Sequence, residues 1–191
     1  MRSVGILLFD DAELLDFAGP YEVFSVANEL HNDALFDIFT ISMTGEAIRS
    51  VHGMIIVPDF SIKNCPPADI LVIPGGDGTK QVIRDEGLLS WIHDSYKKAD
   101  ITFSVCSGAR IPAVLGLLDD KEFTTHHAVV GDVVAIAPKA IPGKGKRFVD
   151  NGKVMTAAGI SAGIDLSLHV VGKLHGAFVK EQTMRYMEYP H

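Results

Sequence analysis

Five short apolar runs, SVGILLF, LFDIFTISM, DILVIPGG, DITFSVCSG and KVMTAAG, recur along the chain, several of them without the apolar–polar alternation that marks a half-exposed strand. Strands that are apolar on both faces need cover on both, which a mostly parallel sheet obtains from helices packed above and below it. The segments between supply those helices, since PYEVFSVANEL, GLLSWIHDSYKKA and ISAGIDLSLHVVGKLHG place apolar residues at helical intervals. The pattern predicts an α/β fold: a mostly parallel central sheet sandwiched between helix layers.

At 191 residues the chain can bury one substantial core and is too short for two full domains, so a single domain is expected over residues 1–191. Pro20, after Gly19, suits the first turn of a helix, where its missing N–H costs nothing. The tetrapeptide DNGK at 150–153 reads as a hairpin turn. APKAIPGKGKR at 137–147 reads as a loop excursion, not a domain boundary. The C-terminal AFVKEQTMRYMEY reads as an amphipathic helix lying on the sheet, where a dimer surface is conceivable.

Charge and composition exclude several partner classes. A net charge of −7 with no basic run argues against nucleic acid. No segment reaches the ~18 apolar residues of a membrane span, and the apolar start lacks the length and cleavage site of a secretion signal. A cytoplasmic protein is expected. Two cysteines, Cys65 and Cys106, make no disulfide framework, and both read as free thiols. Cys65, ahead of two prolines, reads as structural.

ITFSVCSGARIPA, at 101–113, raises the chemical question. Cys106 is either a small core residue or a nucleophile at the carboxyl end of a parallel strand, where open α/β sheets form their ligand crevices. Gly108 permits a tight turn, and the first amides of the following helix then face any negative charge there. For an ordinary thiol to be anionic near neutrality, about 2 to 3 kcal/mol of stabilisation is required. A helix terminus supplies about 0.3 to 1 kcal/mol, up to about 2 in partly buried geometry. A second donor is therefore needed, and a hydrogen bond from a protonated carboxyl adds about 1.5 to 3 kcal/mol.

Asp16, flanked by Leu14, Leu15, Phe17 and Ala18, is the candidate, because an acid in apolar surroundings has a raised pKa and can both hold and move a proton. The alternative is a carboxylate capping the helix that Pro20 begins. Asp10, Asp11 and Glu13 sit in a more polar stretch and read as solvated. Gly75 and Gly76 end another strand, and their amides are candidates to face an oxyanion, though the Gly-Lys-Ser/Thr ending of a phosphate loop is missing. His126 can lie near the crevice, as can His127, and a surface role is open for both. No His or Glu pair has metal-ligand spacing, so no metal is assigned.

Taken together, GILLFDDAELLDFAGPYEVF, HGMIIVPDFSIKNCPPADILVIPGG, FSVCSGARIPAVLGLLDDKEFTTHH and VMTAAGISAGIDLSLHVV resemble the ThiJ/PfpI superfamily over nearly the whole chain. The resemblance implies a flavodoxin-like three-layer sandwich of the class I glutamine amidotransferase type, usually a homodimer. It also implies Cys106 as nucleophile on a strained strand-to-helix turn, Asp16 as the adjacent acid, and Gly75, Gly76 and the Ser107 backbone as anion-binding amides. An aspartate in LLDFAGP, Cys106 followed by a hydroxyl residue, and TTH downstream resemble isonitrile hydratases and the sensor domains of certain transcription regulators. Two positions depart from that branch: His127 stands where many members have Trp, and Arg110 where many are apolar. The regulators continue into a DNA-binding region, whereas this sequence stops at RYMEYPH, so direct transcriptional control by this chain is not expected.

These readings imply a cofactor-free enzyme acting on a small molecule, isonitrile to N-substituted formamide, with Cys106 attacking and Asp16 delivering the proton. Ser107 is expected to orient substrate or water through its hydroxyl as well as its amide. One alternative is addition of the same thiolate to small aldehydes such as glyoxals, as in glyoxalases and deglycases. Another is a non-enzymatic redox sensor or ligand-binding protein.

Overall fold

All five apolar runs form strands of one sheet. In this computed structural model, which describes residues 1–33 and 35–190, the elements in chain order are β1 (Arg2–Leu7), α1 (Leu14–Glu29), β2 (Phe36–Ser42), β3 (Ile48–Arg49), β4 (Ile55–Ile56), β5 (Phe60–Ser61), β6 (Ile70–Ile73), α2 (Thr79–Val82), α3 (Glu86–Lys98) and β7 (Ile101–Val105). A 3₁₀ turn at Cys106–Ala109 leads into α4 (Arg110–Val114), β8 (Glu122–Phe123), α5 (Val130–Ile136), β9 (Ile141–Pro142), β10 (Phe148–Asn151), β11 (Val154–Ala157), α6 (Ala162–His175) and α7 (Ala177–Tyr186).

The seven-stranded sheet has the order β10-β11-β7-β6-β1-β2-β5, and only the β10–β11 pair is antiparallel. That pair is the expected DNGK hairpin, with Asn151 opposite Val154 and Gly152 at φ +82°. Every residue of β6, β7 and β11 is buried, as strands covered on both faces require.

From β1 the chain moves to β2 on one side, and from β6 to β7 on the other. Because parallel crossovers are right-handed, this reversal puts α1 and α3 on opposite faces and makes a three-layer sandwich of the flavodoxin-like kind. On the α1 face, Phe24 meets Phe36 edge-on with ring centres 5.0 Å apart and lies 6.5 Å from Phe103, which ties α1 to β2 and β7. Among the described residues no helix is long and apolar enough to cross a membrane.

Two local expectations are corrected. Helix α1 starts at Leu14, so Pro20 lies inside it instead of in its first turn, and Asp16 is in the first turn instead of ahead of the helix. Helix α7 rests on α1 and α6, not on the sheet, with Val179 and Thr183 buried. The 137–147 excursion carries β9, which pairs with β8 through Glu122 and Ile141.

Candidate active site

Strand β7 ends in a turn whose first residue, Cys106, has φ +55°, a left-handed conformation that costs a non-glycine residue about 1 kcal/mol or more. Neighbours hold it there. The Cys106 N–H donates to the Ala158 carbonyl at 2.9 Å, and its carbonyl accepts from the buried Thr125 hydroxyl at 2.6 Å. Gly108 lets the turn pass close to the end of β6, since a Cβ there would lie 2.6 Å from the Ile73 carbonyl oxygen and 2.7 Å from that of Pro74. The role of Gly108 is close packing; it is buried and does not line the site cavity.

Asp16 is fully buried. Its Oδ2 accepts from the Gly75 N–H at 2.8 Å, while its Oδ1 has no hydrogen-bond partner. Burial pushes its pKa up to about 7 against the pull of the Gly75 amide, and the charge of Glu13 pushes the same way. The Cys106 thiol lies close enough to draw the carboxyl's pKa down slightly, without completing a hydrogen bond at Oδ1. The capping alternative does not hold, because Asp16 sits within α1 and its side chain turns to the β6 loop.

The thiol departs from expectation in the other direction. Burial, then the charge of Asp16, pushes Cys106 up to about 11, and the amides of Ile160 and Ser107 only partly offset this. The structure supplies a short 3₁₀ turn and a five-residue α4 in place of a long helix, so little dipole opposes the desolvation of the sulfur. The resting thiol is therefore protonated at neutral pH. The repulsion from Asp16 exists only while Asp16 is ionised, so passing the thiol proton to Asp16 removes it.

Cys106 lines an open cavity of about 230 Å³ with Glu13, Gly76, Ser107, Arg110, His126 and Ile160 among its neighbours. A cavity of about 390 Å³ beside Asp10 and Asp85 and one of about 350 Å³ around Cys65 and Trp91 lie elsewhere, and burial raises the pKa of the Cys65 thiol. Neither contains the Cys106–Asp16 juxtaposition.

The expected oxyanion amides are only partly available. Gly75 is taken by Asp16, and the Gly76 N–H donates to Ser107 Oγ at 2.8 Å, which in turn donates to the Gly76 carbonyl at 3.1 Å. The Ser107 hydroxyl therefore braces the loop, and it is the Ser107 amide that approaches the sulfur. Gly76 itself is dictated by geometry, having φ +111° and backbone atoms of Asp11 and Glu13 where a Cβ would stand.

His126 lines the cavity and accepts from the Ala128 N–H at its Nδ1, 3.3 Å away, while His127 is exposed. Arg110 is buried, its charge met by Asp132 through Nε at 3.2 Å and by a second bond at 2.5 Å, with Nη1 donating to Thr79 at 2.9 Å. Sequence reasoning carried Thr125 only within the TTH motif, without a role, and did not single out Ile160; the two act on Cys106 through its backbone carbonyl and through a main-chain amide. Glu13, read as solvated, faces the cavity with its side chain 20% exposed.

The model of the DJ-1/PfpI family matches residues 2–173. The chain belongs to this family. Among DJ-1/PfpI relatives, it is 30% identical to isonitrile hydratase of Pseudomonas putida over 187 residues, 98% of this chain and 78% of that protein. It is 26% identical to the HTH-type transcriptional regulator GbdR of Pseudomonas aeruginosa over 92% of this chain but 47% of the regulator, so it spans about half of that relative's length. The crystal structure of a ThiJ/PfpI family protein from Pseudomonas syringae superposes with a TM-score of 0.90 at 27% identity, covering 100% of this chain and 76% of that one. Schizosaccharomyces pombe DJ-1, at 16% identity and a TM-score of 0.82 over 98% of this chain and 100% of that one, shares the fold.

Proposed function

We propose that this DJ-1/PfpI protein hydrates isonitriles to N-substituted formamides, with Cys106 as nucleophile and Asp16 as the group that moves its proton. The observation that carries the reading is a fully buried carboxyl lying against a cysteine held in a left-handed backbone conformation at the wall of an open cavity. The similarity to an isonitrile hydratase over nearly the whole chain supports it.

The scheme balances without a co-reactant beyond water. A sulfur–carbon bond forms at the terminal isonitrile carbon while the thiol proton passes through Asp16 to that carbon, giving the thioimidate R–N=CH–S–Cys106. With a pKa of about 7, Asp16 is divided between acid and carboxylate near neutrality, so one group both accepts and returns the proton. The amides of Ser107 and Ile160 stabilise negative charge as it develops on sulfur. Water then adds across the C=N bond and the C–S bond breaks, which releases the formamide and restores the thiol.

The test is formamide formation from an alkyl isocyanide by wild type, Cys106→Ala and Asp16→Asn. No turnover is expected for the cysteine variant, and a loss of about 10² or more for the aspartate variant. Undiminished turnover by either defeats the assigned roles. Wild-type activity confined to methylglyoxal gives the site to aldehyde chemistry instead. The homodimer implied by the family resemblance is part of the proposal, and a light-scattering mass of twice the chain's own checks it.

A further inference from the structure

Glu13 shares the cavity with Cys106, and its backbone is clamped on three sides. Its N–H donates to the Gly75 carbonyl at 2.9 Å, its carbonyl accepts from the Asp16 N–H at 3.1 Å, and Gly76 runs so close that a Cβ there would lie 2.6 Å from the Glu13 nitrogen. Glu13 stands at the N-cap of α1, yet its side chain makes no capping bond. The imidazole of His52, 78% exposed, lies 3.7 Å from its carboxylate, which is beyond hydrogen-bond distance. A rigid main chain thus presents a carboxylate with unoccupied lone pairs at the cavity wall.

The other polar groups there are unsuited to deprotonating a water. Asp16 is sealed from solvent, with one oxygen taken by Gly75, and serves the sulfur. His126 accepts at Nδ1, which puts the proton of its neutral form on Nε2 and makes that edge a donor. Arg110 can only donate, and Asp77 is engaged by Lys80 at 2.7 Å. Among the described residues lining the cavity, Glu13 is the uncommitted acceptor.

We infer that Glu13 is a catalytic residue of the second half-reaction, the general base for the water that attacks the thioimidate. This rests on the isonitrile reading above. The water oxygen bonds to the thioimidate carbon, the C=N double bond becomes single, and one water proton passes through Glu13 to the imidate nitrogen. The remaining hydroxyl proton goes to sulfur as the C–S bond breaks and the formamide C=O forms. The charge of Glu13 also raises the pKa of both Asp16 and Cys106, which places its carboxylate within electrostatic reach of the pair.

Glu13→Gln separates the two halves. With an alkyl isocyanide, formamide formation by this variant is expected to fall about 10²-fold or more, while intact-mass spectrometry finds Cys106 carrying the mass of one isocyanide, an adduct that wild type does not accumulate. Glu13→Asp, which keeps a carboxylate, is expected to recover part of the rate and to lose the adduct. Wild-type rates in Glu13→Gln, or lost turnover without the adduct, overturn the role of Glu13 and leave Cys106 and Asp16 standing. A wild-type protein that neither turns over isocyanide nor forms an adduct overturns both.

Discussion

Asp16, fully buried, is costly to keep charged. Folded, it holds its proton up to about 7, whereas in the unfolded chain it has the ordinary aspartate value of 3.8. Between those pH values the native state binds more protons, so stability falls as pH rises through that window, and the lost part stays lost above it. The total is about 4 kcal/mol. Asp16→Asn keeps an acceptor for the Gly75 amide and cannot ionise. It is therefore expected to exceed wild type by up to about 4 kcal/mol in urea unfolding at pH 8, to match it near pH 4, and to lose activity at both. The apolar flanks of Asp16 made its raised pKa readable in the sequence. The raised pKa of Cys106 was not readable, because its main causes, burial and a nearby ionised carboxylate, depend on contacts across 90 positions of chain. The roles of Thr125 and Ile160 were illegible for a related reason, since what they offer Cys106 is a bond to a backbone carbonyl and a backbone amide, and side-chain chemistry does not announce either.

The turn after β7 works only if it can press against the end of β6. In Gly108→Ala the new methyl would meet two backbone carbonyls that have no freedom to retreat. A loss of about 3 kcal/mol or more is expected, with displaced Cys106 and lost turnover. Gly131→Ala, in α5 with nothing within 4 Å of the new Cβ, is the matched control and should gain about 0.5 to 1 kcal/mol from helix propensity; thermal unfolding of both variants checks the contrast. Helix boundaries were less legible than helix existence. Pro20 suggested a start because a missing N–H is harmless there, but the residue whose carbonyl it leaves without a helical donor is Asp16, and α1 begins two residues before that. Helix α7 was read correctly as amphipathic, while its partner could not be read: an apolar stripe does not distinguish a sheet from the paired helices α1 and α6 that it covers.

Across the whole molecule, the reversal of strand order between β1 and β6 gathers the loops after β1, β6, β7 and β11 at one end of the sheet. These loops supply Glu13 with Asp16 at the start of α1, then Gly75, Cys106 and Ile160 in turn. The sheet was legible because unalternating apolar strands admit few arrangements; the meeting of its loops was not, since it follows from strand order and not from composition. We propose that the chain is one domain, for which fluorescence of the sole tryptophan, Trp91 on α3, and far-UV circular dichroism should share a midpoint in denaturant; separated midpoints would argue for independently melting parts. Because four distant stretches of chain must arrive together before the sulfur acquires its surroundings, Cys106 is an ordinary thiol in any partly assembled form and a reluctant one only in the finished fold. The rate at which this sulfur is capped by a thiol reagent is thus a gauge of how often the molecule comes apart, carried by the protein at the very place where its chemistry is proposed.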